Sequence, residues 1–144
     1  SSSLNIIGKG PLEEDLKKAY RHCGTIFFHG ELSHFNALAM MRQVKFVICP
    51  SLYFETFGLT IFEAYSQGTP VIGFNIGTRS EFIKNGYTGI ITTPEELGLT
   101  LLKYDRNNDN YNKYSSNCKA FMNKFSNEKT FNMQNQIYQK ITTR

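Results

Sequence analysis

The sequence has no apolar run near the roughly 20 residues that a membrane-spanning helix needs, and no basic segment leading into an apolar one at its amino end. It therefore predicts neither a span nor a signal peptide. Cysteine is sparse: Cys23, Cys49 and Cys118 are odd in number and far apart, which argues against a zinc knuckle and for reduced thiols in a cytoplasmic compartment. The histidines His22, His29 and His34 have no Cys, Asp or Glu at ligand or nucleophile spacing, so they are read as structural. An Asp-x-Asp pair is also lacking. The nearest aspartates, Asp105 and Asp109, stand in a polar, Asn-rich stretch, so no metal site is expected.

Acidic residues run short in only one part of the chain. Residues 1–100 carry eight Lys/Arg against nine Asp/Glu, whereas residues 101–144 carry eight against three, so the net charge of +4 resides in the tail. Those lysines are scattered among Asn, Ser and Gln, with no helix-turn-helix and no aromatic stacking pattern. A solvated helical face is the reading, and no nucleic-acid partner is expected. No internal repeat or interdomain linker is visible.

The 144 residues, 40% of them hydrophobic and 14% aromatic, suffice for the core of one globular domain. Five short β-rich runs are expected as strands, Leu4 to Ile7, Thr25 to Phe28, Phe46 to Cys49, Val71 to Phe74 and Gly89 to Thr92, with Cys49 in the core. Helical patterns alternate with them. Leu12 to Cys23 has an acidic first turn with basic residues after it, as a helix dipole favours, and Glu31 to Gln43 sets Leu32, Phe35, Leu38, Ala39 and Val44 on one side. After Pro94 the chain reads as helical, through Glu95 to Tyr104, a break at Arg106 to Asn112 and two further helices ending near Ile141. Nearly continuous apolar strands separated by helices predict a parallel sheet covered on both faces. The fold class is α/β, a Rossmann-like unit with extra carboxy-terminal helices.

The richest stretch runs from Cys49 to Ile72, joining a strand end, a glycine-bearing turn, a helix and another strand. Glu55 falls in the turn and Glu63 in the helix, at the edge where open parallel sheets bind ligands. Gly58 lets the backbone approach a ligand, and amides opening the next helix would favour a phosphate. A carboxylate before the turn accepts from sugar hydroxyls, and one about two helical turns on from a ribose diol. The three-residue offset of Thr60 and Glu63 fits a capping box equally well, and Glu55 fits a solvated turn. Gly68 with Pro70 reads as helix stop and strand start.

Pro50-Ser51, Glu55-Thr56-Phe57-Gly58-Leu59, Glu63-Ala64 and Gly68-Thr69-Pro70-Val71-Ile72 resemble, in order and register, the carboxy-terminal domain of family 4 retaining glycosyltransferases. The likeness extends through Gly8-Lys9-Gly10-Pro11-Leu12, Phe28-His29-Gly30, Gly77 to Ile83, Gly86 to Gly89, Phe125-Ser126 and Ile137-Tyr138, nearly the whole chain. The resemblance implies one half of a GT-B fold, whose carboxy-terminal domain holds a nucleotide-diphosphate sugar as donor substrate, with no cofactor.

By that analogy Glu55 contacts hydroxyls of the transferred sugar, in a positioning role rather than as nucleophile. Amides of Phe57, Gly58, Leu59 and Thr60 meet sugar and diphosphate, Glu63 takes the ribose, and Gly30, Glu31 and Leu32 lie against the base. The resemblance also implies that the family's first strand and helix, with an Arg and Lys pair for the diphosphate, and the whole amino-terminal acceptor domain are missing from residues 1–144. Turnover is then expected of the full-length enzyme alone: glycosyl transfer to an acceptor glycan or lipid-linked sugar with retention, the leaving diphosphate helping to deprotonate the acceptor. Polysaccharide biosynthesis fits on family grounds. The setting is cytoplasmic, with room for peripheral association of the full-length protein at the inner face of the membrane.

Gly77-Thr78-Arg79-Ser80-Glu81 departs from the family's usual paired glycines, leaving Arg79 to reach a phosphate or to sit on the surface. Two other readings stand beside transfer. One is a nucleotide-sugar 2-epimerase-like enzyme of the same architecture, which would interconvert donors without an acceptor. The other is a non-catalytic nucleotide-sugar-binding module.

Overall fold

The computed structural model describes residues 2–106 and 111–142. The strands are β1 (Leu4–Ile7), β2 (Ile26–Gly30), β3 (Val47–Cys49), β4 (Val71–Phe74) and β5 (Gly89–Thr92). The helices are α1 (Glu13–Ala19), α2 (His34–Met41), α3 (Leu59–Ser66), α4 (Arg79–Phe82), α5 (Leu97–Arg106), α6 (Tyr111–Met122) and α7 (Asn127–Thr142), with a 3-10 turn over Asn123–Phe125. Strand positions follow the sequence within two residues. Of the break expected at Arg106 to Asn112, Arg106 ends α5, Tyr111 and Asn112 open α6, and residues 107–110, Asp109 among them, lie outside the described residues.

Helices α1 and α2 are shorter than their patterns. Ser33 accepts the amide of Asn36 at 3.3 Å and starts α2 three residues later than expected, leaving Glu31 and Leu32 in the loop before it. Phe35, expected on the apolar side of α2, is exposed. Helix α3 ends in a six-to-one bond from Thr69 N–H to Ala64 O and a five-to-two bond from Gly68 N–H to Tyr65 O, both 2.9 Å, so Gly68 is the stop its sequence position implied.

All five strands run parallel, as expected, but in two ladders, β1-β2 and β3-β4-β5, rather than one. Only the second ladder is deeply covered. Every residue of β4 is buried, while Leu4, Ile7 and Phe27 of the first ladder remain exposed, because α1 buries no residue against it. Asp105 ties the starting ends of the two ladders, accepting from the Ser2 hydroxyl ahead of β1 and from Lys45 Nζ ahead of β3, at 2.9 Å on its carbonyl.

The core lies where α3 is pressed between the three-stranded ladder and α6. Ile61, Phe62, Ala64 and Tyr65 pack on Val71, Ile83, Cys118 and Phe121. Tyr65 Oη donates to Thr88 Oγ1 at 2.8 Å, and burial drives its phenol pKa well up. Among the described residues no helix is long and apolar enough to cross a membrane.

Burial also grades the three free thiols. Cys118 is buried and pushed up to about 12 by desolvation; half-buried Cys49, packed against the core, is pushed up to about 11 by desolvation and then by the charge of Glu55. Exposed Cys23 is held below the ordinary value by its bond with the Thr25 hydroxyl. Iodoacetamide at pH 8 should therefore alkylate Cys23 first, and Cys49 and Cys118 only on unfolding, as peptide masses would report. Early labelling of Cys118 would contradict this packing.

Candidate functional site

Parallel strands put their carboxyl ends at one edge, and three contacts stitch the loops of that edge together in chain order. Lys9, after β1, approaches Glu31, after β2, at 3.8 Å. His34 Nδ1, opening α2, stands 3.5 Å from Glu63 Oε1 on α3. Arg79 Nε, after β4, donates to Glu55 Oε2, after β3, at 3.3 Å. Gly30, Glu31, Leu32, Glu55 and Glu63 thus belong to one rim.

The turn before α3 is shaped by two residues. Phe57 stacks on Phe62, centroids 4.7 Å apart and planes 6° from parallel, anchoring the turn to the core. Gly58 then takes a left-handed conformation, φ 70° and ψ 57°, as the residue capping α3, with no side chain capping the helix. The first amide with an intrahelical bond is that of Ile61, to Gly58 O at 2.9 Å. Among the described residues the amides of Gly58, Leu59 and Thr60 have no hydrogen-bond partner, so three N–H groups open this edge with the helix dipole behind them.

The two glutamates can now be weighed. Helix α3 begins at Leu59, so Thr60 is its second residue and Glu63 its fifth; the capping-box spacing is not used. Glu63 is one turn beyond Leu59, with a third of its side chain exposed and His34 beside it. Glu55 is 42% exposed, with Oε2 held by Arg79 and no hydrogen bond to Oε1 among the described residues. Both carboxylates are open to a ligand.

Arg79 corrects the sequence reading. Its side chain is completely buried and engaged by protein oxygens, neither on the surface nor free for a phosphate. Burial of a guanidinium is rare unless its donors are matched, and its acceptors sit in a loop some 25 residues earlier, out of reach of periodicity. The one hint was the bulky residue where paired glycines are usual. His34 reads as structural in the sequence, because its neighbour Glu63 is close only in three dimensions; His22 bonds to adjacent Arg21, and His29 bonds across to Asn5 of the paired strand β1. Among the described residues no group of three or more His, Cys, Asp or Glu could hold a metal ion, and Asp105 is committed to Lys45 and Ser2.

Open carboxylates and unpaired amides thus stand at the carboxyl edge of parallel strands, where open α/β sheets bind their ligands. The chain belongs to the group 1 glycosyl transferases: the model of that family matches residues 2–121. A glycogen synthase of Mycobacterium tuberculosis is 33% identical over 99 residues, 67% of this chain and 24% of that protein. An uncharacterised glycosyltransferase of Methanocaldococcus jannaschii, MJ1178, is 26% identical over 145 residues, 97% of this chain and 41% of its own. Thus the chain spans well under half the length of these relatives.

Among solved structures, sucrose-phosphate synthase of Thermosynechococcus elongatus superposes with a TM-score of 0.80 at 21% identity, over 98% of this chain and 39% of that one. Alr3699/HepE of Anabaena, crystallised with UDP, gives 0.77 at 20% identity, over 99% and 41%. These likenesses establish the fold, parallel strands flanked by helices as in GT-B glycosyltransferases.

Proposed function

We propose that residues 1–144 form the donor-binding half of a glycosyltransferase. In this reading the edge takes a nucleotide-diphosphate sugar, and the complete enzyme transfers the glycosyl group to an acceptor hydroxyl with retention of configuration. The observation that carries it is the pairing of three unpartnered amides, at Gly58, Leu59 and Thr60, with an open Glu55 carboxylate one turn away. The amides suit the diphosphate, Glu55 the sugar hydroxyls, Glu63 the ribose diol, and Gly30, Glu31 and Leu32 the base. Anabaena Alr3699/HepE, of like fold, has been crystallised with UDP and with UDP-glucose, which supports a nucleotide-sugar ligand.

Two features favour a larger parent enzyme. One further parallel strand between β1 and β3 would join the ladders into the order β2-β1-x-β3-β4-β5, the doubly wound order whose switch point falls beside β3. Helix α7 leaves Phe131, Met133, Ile137, Tyr138 and Ile141 exposed, an apolar surface suited to a second, acceptor-binding domain. An acceptor glycan or lipid-linked sugar, polysaccharide assembly, and a cytoplasmic setting at the inner face of the membrane complete the reading.

Calorimetry of the chain with UDP, GDP and ADP tests it. One of the three should bind preferentially, and Glu63→Ala should weaken that binding at least about tenfold, the worth of one hydrogen bond to a charged group. Equal indifference to all three nucleotides would refute the donor site.

A further inference from the structure

We infer that Arg79 is a positioning residue of the donor site, its buried guanidinium fixing the Ser51–Glu55 loop so that Glu55 presents one free carboxylate oxygen to the transferred sugar. This rests on the donor-site reading above.

The geometry is that of a clamp. Nη1 donates to Ser51 O at 2.7 Å, Nη2 to Tyr53 O at 3.1 Å and Nε to Glu55 Oε2 at 3.3 Å, so three donors of one planar group hold alternate residues of one loop. A lysine ammonium has no such spread. The two residues before Arg79 grip the same glutamate. Thr78 Oγ1 donates to Glu55 O at 3.2 Å, and a Cβ on Gly77 would stand 2.9 Å from that oxygen and 3.2 Å from Glu55 N. Glu55 is thus held at its backbone and at one carboxylate oxygen, while Oε1 is left over.

That division has a chemical consequence. A glutamate on an unsupported loop must lose rotamer freedom when a sugar arrives, and a tethered one has lost it already. With Oε2 occupied, the carboxylate offers its remaining oxygen from a fixed position. The same clamp leaves Tyr53 and Phe54 projecting, each 85% exposed, so the loop it secures is fastened through backbone and Glu55 rather than through its own side chains.

The test compares the nucleotide preferred among UDP, GDP and ADP with its glucose conjugate by calorimetry on the chain and its variants, UDP and UDP-glucose standing for that pair. Arg79→Lys and Glu55→Gln should each weaken UDP-glucose about tenfold and UDP less than about twofold, and the double variant should be no weaker than the poorer single one. Thr78→Val, which spares the guanidinium, should show a smaller loss of the same kind and serves if Arg79→Lys fails to fold. Hydrogen exchange should show residues 51–56 opening faster in Arg79→Lys while β4 and β5 keep their protection. Equal loss of both ligands, additive losses in the double variant, or unaltered UDP-glucose binding in Arg79→Lys would overturn the positioning role alone. Failure of the unsubstituted chain to bind any of UDP-, GDP- and ADP-glucose, or a Glu55→Gln variant without effect, would overturn the donor-site reading and the positioning role with it.

Discussion

Gly58→Val should lower this chain's affinity for its preferred nucleotide among UDP, GDP and ADP at least about a hundredfold, as the proposed donor site requires. Gly58 sits at φ 70°, a conformation that costs an ordinary L-residue about 1–2 kcal/mol and a β-branched one more. A Cβ there would stand 3.0 Å from Ile61 Cδ1, crowding a core side chain of α3, and 3.5 Å from Glu55 Oε2, in ordinary contact with it. If the backbone rotates out of the left-handed region to relieve this, the amides of Gly58, Leu59 and Thr60 no longer converge. Losing two charge-assisted hydrogen bonds, each worth about 1.5–3 kcal/mol, exceeds two factors of ten in affinity. Far-UV dichroism should show the fold retained, because in the core the added group meets only the tip of Ile61, while Phe62, Ala64 and Tyr65 keep their core contacts. Affinity for that nucleotide within threefold of the unsubstituted chain would show that phosphate does not meet this turn.

Gly89→Ala should have the largest effect on stability, about 3 kcal/mol or more, read as a fall of about 10 °C in melting temperature. Gly89 opens β5 opposite Val71 of the buried strand β4. A methyl group there would collide with the Val71 carbonyl and come within 3.1 Å of Ile83 Cγ2. The obstacle is backbone inside a three-stranded ladder, so it cannot swing aside as a side-chain tip would. Against a stability of about 5–15 kcal/mol for a domain of this kind, that loss is a large share. Gly98→Ala in α5, where an added Cβ meets nothing within 4 Å, is the control and should leave stability equal or slightly raised. Equal melting temperatures for Gly89→Ala and Gly98→Ala would mean that β4 and β5 do not pair in this register.

These two glycines mark different depths of legibility. Gly58 was singled out in the sequence, because a glycine between an acidic turn and an apolar helix is a local pattern with a local cause. Gly89 reads from the sequence as the start of a strand and as the end of the Gly86 to Gly89 likeness, with no hint of its packing. Its requirement for a bare Cα comes from Val71, eighteen residues away, through a strand pairing that no window of sequence contains.

The sequence by itself determined the α/β class, the positions of five strands, the stop at Gly68 and the segment carrying Glu55, Gly58 and Glu63, because periodicity, turn chemistry and helix-end preferences act within a few residues. Only the tertiary structure decided that Glu63 is open rather than part of a capping box, that the strands form two ladders, and that Arg79 is buried against Glu55. Those outcomes depend on where α3 begins, on which strand edges find partners and on which oxygens surround a guanidinium. Each is a relation between segments distant in the chain, fixed by packing and by the need to satisfy a buried charge.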